Sequence, residues 1–250
     1  MAWMGKGVYR FYAANDDEIM DMDILGRAIS EYYFGNKQYK LWVHDNHGPR
    51  VEMQVPIYFR SPEAMPDLEL MALDLCKGKT LDIGAGAGCH ALYLQDKGIT
   101  VTAIDISEGA VNVMKERGVK DARVQDIFEL KGEQYDTLLL LMNGIGLVQT
   151  IEGLGRFLEH IKPLLKKGAQ LIFDSSDVAY MYEDGIPKLD YYYGEIKCRY
   201  EYRRQKSEWF SWLYIDEQML RKIAAEVGFQ TELLFVDESD QYLVRLTLKK

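Results

Sequence analysis

The chain has 250 residues, 48% apolar and 28% charged, and its 39 acids against 30 bases give a net charge of −9. That composition excludes a disordered, collagenous or coiled-coil protein, and the anionic balance argues against a nucleic acid or an acidic membrane as partner. The length suits one α/β domain with extensions, which buries enough surface to need neither a metal nor a disulfide.

The longest apolar run, Leu138–Met142, falls far short of the ~18 residues that cross a bilayer. Met1–Arg10 lacks the apolar core of a secretory signal. Cys76, Cys89 and Cys198 form no CxxC pair and read as free thiols, so the expected location is the cytoplasm.

In chain order, a helix is expected over Asp16–Phe34, with Leu25, Ala28, Ile29 and Tyr32 on one face and Asp16 or Asp17 as cap. A short strand follows at Tyr39–Val43, and a helical run extends from Glu69 through Cys76. From Thr80 the pattern alternates. Strands are expected at Thr80–Ile83, Thr100–Ile104, Ala122–Gln125, Tyr135–Met142 and Ala169–Phe173. Helices fall between them at Cys89–Lys97, Glu108–Arg117 and Ile151–Lys162, the last capped by Thr150 and stopped by Pro163. Such alternation predicts a doubly wound, mostly parallel sheet. Farther on, Glu195–Arg204 and Glu208–Tyr214 form a strand pair joined by Gln205–Ser207, and Asp216 caps a helix ended by Gly228. Phe229–Val236 and Tyr242–Leu248 make an antiparallel hairpin that closes a seven-stranded α/β sheet.

The strongest chemical signal is Leu81-Asp82-Ile83-Gly84-Ala85-Gly86-Ala87-Gly88, a buried strand running through three alternate glycines into a helix. Glycines let a ligand lie directly on the backbone, and the helix start offers unpaired N–H groups. A dinucleotide loop wants G-x-G-x-x-G, and here Cys89 stands where its third glycine belongs. A nicotinamide-dependent oxidoreductase is therefore disfavoured.

The G-x-G-x-G spacing behind Asp82 resembles the first motif of the class I S-adenosylmethionine (SAM)-dependent methyltransferases. Asp105, 17 residues after Gly88 at the end of Val101–Asp105, stands where that family bonds the ribose hydroxyls. Asp126 in Val124-Gln125-Asp126-Ile127 stands at the position of its adenine-amine partner. Tyr135–Met142 with Asn143-Gly144-Ile145-Gly146 fits the fourth strand and its loop, and Leu164–Ala169 fits the turn before the fifth. The resemblance covers roughly residues 76–250 and is similar in detail to small bacterial enzymes of unassigned substrate, which add a helical N-terminal segment and an insertion. It implies SAM as cofactor, with contacts at Asp82, Gly84, Ala85, Gly86, Gly88, Asp105, Ile106, Asp126, Ile127, Asn143 and Arg60. It divides the chain into an N-terminal helical or lid segment over 1–75 and a methyltransferase domain over 76–250, with a β-hairpin insertion at about 177–214.

Several residues keep two readings. Asp105 either bonds ribose or caps the next helix, for which Ser107 is better placed. Asp126 is an adenine partner or a turn residue, and Asn143 is a functional or a turn residue. Arg60 pairs with the cofactor carboxylate or is a surface charge. His90 reads as a packed histidine rather than a base. No catalytic base stands out.

The Asn-Gly-Ile-Gly run departs from the Asn/Asp-Pro-Pro-aromatic tetrad of DNA amino-methylating relatives, which argues against base methylation. Only Asp174 and Asp177 stand where magnesium-dependent relatives place oxygen ligands, so no metal is expected. Tyr32, Tyr33, Phe34, Tyr58, Phe59, Tyr191, Tyr192, Tyr193, Trp209, Phe210 and Trp212 lie outside the nucleotide core. They are either ordinary packing or an aromatic wall over the acceptor. The expected function is methyl transfer from SAM to a small molecule, with a non-catalytic SAM- or nucleoside-binding module as the rival.

Overall fold

A computed structural model describes residues 23–182, 185–238 and 240–249. The chain opens with helix α1 (Ile24–Tyr33), whose N-cap Asp23 accepts from the Gly26 N–H. The expected cap at Asp16 or Asp17 lies outside the described residues. Next come strands β1 (Leu41–Asp45) and β2 (Val51–Met53), two 3-10 turns at Val55–Phe59 and Pro62–Ala64, and helix α2 (Asp67–Asp74). The alternating core follows as β3 (Lys79–Ile83), α3 (Cys89–Asp96), β4 (Thr100–Asp105), α4 (Glu108–Glu116), β5 (Ala122–Val124), β6 (Tyr135–Leu140), α5 (Ile151–Ile161) and β7 (Leu165–Ser176). The chain ends with β8 (Glu195–Tyr202), β9 (Gln205–Lys206), β10 (Phe210–Leu213), α6 (Glu217–Glu226), β11 (Phe229–Val236) and β12 (Gln241–Leu248).

The main sheet has the order β11-β12-β7-β6-β3-β4-β5. Pairings among β7, β6, β3, β4 and β5 are parallel, and β12 runs antiparallel to both β7 and β11. The expected seven-stranded sheet with its C-terminal hairpin is thus present. Both faces of its inner strands are covered, so Leu138, Leu139 and Leu140 of β6 are buried in succession. On one face, Leu154, Phe157 and Leu158 of α5 and Leu220 and Ala224 of α6 pack on Leu81, Leu138 and Phe173. On the other, Leu68, Ala72, Ala91, Leu94, Val111 and Met114 from α2, α3 and α4 pack on Ala103, Leu139 and Ile172.

Two local expectations need correction. The fifth parallel strand starts at Leu165 rather than Ala169. Its pairing with β6 jumps from Leu165↔Tyr135 to Gln170↔Thr137, and the intervening stretch holds Gly168 at φ +78°. The link between β8 and its partner turns at Arg203 and Arg204, both at positive φ, and Gln205 and Lys206 already pair back onto β8. Two successive positive-φ residues match the right-handed twist of a tight hairpin, which shortens the turn.

A second sheet was not anticipated. Its order is β10-β8-β1-β2, with β9 beside β8, and every pairing is antiparallel. Strand β1 lies beside β8 with Leu41↔Tyr202, Val43↔Tyr200 and Asp45↔Cys198 in register. The N-terminal segment and the insertion, some 150 residues apart in sequence, are therefore one hydrogen-bonded structure.

Candidate functional site

In a sheet of this order, the parallel strands β3, β4, β5 and β6 end on a common edge, where open α/β sheets bind ligands. The glycine loop leaves β3 there. Gly84, Gly86 and Gly88 have φ of +70°, +55° and +78°. At Gly86 the requirement is double, because a Cβ would also meet the Tyr58 ring at 3.0 Å. The loop is tied to β4 by the Gly84 and Ala85 N–H groups on the Ile104 carbonyl, at 2.9 and 3.1 Å.

Asp105 ends β4 and accepts one backbone N–H on each oxygen, Gly86 on Oδ2 and Ser107 on Oδ1, both at 2.9 Å. Burial raises its pKa against those two bonds. Each oxygen keeps a lone pair, and together they suit a vicinal diol. The neighbouring Ile106 is 76% exposed, an apolar surface beside that carboxylate. Ser107 caps α4, accepting from Ala110 N at 2.9 Å, so Asp105 is not the cap. Asp126, at the end of β5, is exposed and accepts from Phe128 N at 2.9 Å. The Ile127 side chain is in the core, leaving its backbone for any ligand contact.

Asp82, on β3, is buried, and its Oδ2 has no partner among the described residues. Burial above all, with Asp105 adding to it and His90 opposing, raises its pKa to about 6. His90 is buried on α3 and bonds Glu69 of α2 through Nε2 at 2.9 Å. Burial disfavours its charged form, yet Cys89, Glu69 and Asp82 hold its pKa well above the ordinary value. Arg60 Nη2 donates to both oxygens of Glu69, at 2.5 and 2.7 Å, while its Nε is buried without a partner among the described residues. Arg60 is thus neither a loose surface charge nor fully used.

At the end of β6, Met142 and Asn143 both have positive φ, at 64° and 54°. Such strain in non-glycine residues persists where surroundings over-determine it. Asn143 is held on three sides. Its N–H donates to Asp174 Oδ2 at 2.8 Å, its Oδ1 accepts from Ser176 Oγ at 3.0 Å, and its carbonyl accepts from Trp212 Nε1 at 3.1 Å. Asp174 is fully buried on β7 and also accepts from Gln241 Nε2 at 2.7 Å. Its Oδ1 is unpartnered among the described residues, and burial raises its pKa to about 6.

Sequence reasoning missed the tie between Arg117 and the loop. Arg117 Nη1 donates to the carbonyls of Ala87 and Tyr58, at 2.5 and 3.3 Å, and its guanidinium lies 5.1 Å from the Phe59 ring centroid. Nothing local in the sequence marks this residue, because its partners are 30 and 59 positions away.

A left-handed glycine loop, a diol-suited carboxylate and an exposed apolar residue at one sheet edge define a nucleoside-binding α/β protein. The methyltransferase-domain family model matches residues 81–173. A SAM-dependent methyltransferase from Bacteroides fragilis, solved with S-adenosyl-L-homocysteine (SAH), is 42% identical over 90% of this chain and 94% of its own, with a TM-score of 0.84. The chain belongs to the SAM-dependent methyltransferases, with the class I fold and SAM as cofactor. A SAM-dependent methyltransferase from Clostridium acetobutylicum shares the fold at 18% identity, covering 78% of this chain and 97% of its own, with a TM-score of 0.55. The sugar N-methyltransferase KedS8 of a Streptoalloteichus species shares it at 13% identity, covering 81% and 96%, with a TM-score of 0.58. No curated protein matches. Among the described residues, no helix is long and apolar enough to cross a membrane.

Proposed function

We propose that this methyltransferase acts on a small molecule, in the cytoplasm, beneath a cover formed by the N-terminal segment and the insertion. The observation that carries the reading is the seating of this cover at both ends of the site. Tyr58 lies against Gly86 of the cofactor loop, and Trp212 bonds Asn143 beyond β6. An acceptor that fits under such a cover is a small one, and the net charge of −9 disfavours a nucleic acid.

In this reading Asp105 takes the ribose hydroxyls, the backbone of Gly84, Ala85, Gly86 and Gly88 carries the ligand, and Ile106 lies against the adenine. Asp126 and the Ile127 backbone border the base. Asp82 and Arg60 serve the amino-acid end, for which the unpartnered Asp82 Oδ2 and Arg60 Nε are of opposite and complementary charge. When bound, SAM supplies a methyl group already activated by its sulfonium charge. The protein's part is to hold the acceptor in line and exclude water, which the cover does without a strong base.

Methyl-labelled SAM incubated with the protein and a size-fractionated bacterial extract tests this. Label should appear in the low-mass fraction. Label confined to protein or RNA overturns the reading.

A further inference from the structure

The cover sheet has a sided chemistry. Register puts Leu41, Val43 and Asp45 of β1, Ile196, Cys198, Tyr200 and Tyr202 of β8, and Phe210 and Trp212 of β10 on one face. That face turns toward the nucleotide core. Leu41 and Tyr202 are buried in a cluster with Ile29 of α1, and Trp212 reaches Asn143. Its middle, at Val43, Tyr200, Phe210 and Trp212, is only partly buried.

These rings are continuous. Tyr200 and Phe210 have centroids 5.1 Å apart, and Phe210 and Trp212 are 6.3 Å apart. Tyr58, on Gly86, is packed in the same cluster as Tyr200. Burial raises the Tyr58 and Tyr200 phenol pKa values well above normal, and the negative charge of Asp105 raises both further. An aromatic wall thus runs from the cofactor loop to Asn143.

Among the described residues, the wall carries no basic side chain. The bases of β8, Lys197 and Arg199, fall on the opposite face by alternation, and Arg199 stacks on Trp209 at 4.5 Å. Arg50 and His44 are bound to Glu201, also on that opposite face. Arg117 and the Nη2 of Arg60 are committed to the Ala87 carbonyl and to Glu69. Carboxylates on the cofactor side include Asp45 on the same face of the cover, Asp105 at the end of β4, and the buried Asp82 and Asp174.

Rings without bases and with carboxylates nearby attract cations and reject anions. Resting on the small-molecule reading above, we propose that the acceptor is an amine, held against Tyr200, Phe210 and Trp212. The bound ammonium first loses a proton to water, and the neutral nitrogen then uses its lone pair to bond the methyl carbon as the carbon–sulfur bond breaks and sulfur keeps that pair. The positive charge passes from sulfur to nitrogen, and the product leaves as the methylated ammonium. The rings favour the cation on both sides of the transfer.

The test is calorimetry on the SAH-saturated protein with two probes of matched size, 2-phenylethylammonium and 3-phenylpropionate. The ammonium should bind at least about tenfold more tightly, ~1.4 kcal/mol. Tyr200→Leu should erase most of that preference while leaving SAH affinity unchanged, and Tyr200→Phe should retain it because the ring remains. Equal or tighter binding of the carboxylate overturns the proposal, as does no ammonium binding at millimolar concentration. Methyl label found only in low-mass phenols or carboxylates would overturn the amine while leaving the small-molecule reading standing.

Discussion

Trp212 Nε1 donates to the carbonyl of Asn143 at 3.1 Å, and the same indole occupies the space that a side chain at Gly146 would need. A Cβ at 146 would lie 2.0 Å from Trp212 Nε1. The cover is thus keyed to the β6 loop by one residue that must be tryptophan-shaped and one that must lack a side chain. Gly146→Ala should destabilise the protein by ~1–3 kcal/mol, the range for overpacking. Gly155→Ala, in α5 with open space around it, should instead stabilise by ~0.5–1 kcal/mol. Urea unfolding of both variants checks the contrast.

Gly86→Val should abolish SAH binding while the protein remains folded. The φ of +55° and the Tyr58 ring both oppose a branched side chain, and the loop can only yield by leaving its cradle. Calorimetry with SAH is decisive, and parental affinity would refute the cradle.

Asp105→Ala should weaken SAM binding by ~1.5–3 kcal/mol, the range for hydrogen bonds to a charged group. It should also lower the melting temperature, because the Gly86 and Ser107 N–H groups lose their acceptor. Asp126→Ala should cost less, since in the proposed reading an adenine amine offers this exposed carboxylate one bond instead of two. An Asp105→Ala protein that bound SAM like the parent would remove the ribose assignment.

Asp174 makes stability depend on pH with a definite sign. Its pKa is about 6 in the fold against 3.8 as the ordinary value, so between these pH values the folded protein holds a proton the unfolded chain has lost. Its contribution therefore falls as pH rises from about 4 to 6 and stays unfavourable above, on the order of 3 kcal/mol. Asp174→Asn should raise the melting temperature at pH 8, with the gain shrinking toward pH 5. A gain that grew on acidification would contradict the assignment.

Chelation should leave turnover unchanged. The transferred methyl is activated by its own sulfonium, and among the described residues no group of three or more histidines, cysteines and acids is arranged to hold a metal ion. Loss of activity in EDTA that magnesium restored would overturn this expectation.

Strand and helix order from Thr80 to Leu248 was legible because each element carries its own period and cap. Thr150, Ser107 and Asp216 cap α5, α4 and α6 by local hydrogen bonds. The glycine loop and Asp105 were legible for the same reason: backbone conformation and a carboxylate at a strand end are properties of a few adjacent residues. What tertiary structure alone decided is how distant segments meet. The pairing of β1 with β8 joins positions about 150 apart, and neither strand's sequence names its partner. The same holds for Arg60 on Glu69 and His90, Arg117 on Ala87 and Trp212 on Asn143. Alternation in β8 shows that its bases share a face, but not which face packs toward the nucleotide core. Burial settles that, because Tyr202, Leu41 and Ile196 have to leave water together and so turn the aromatic side inward.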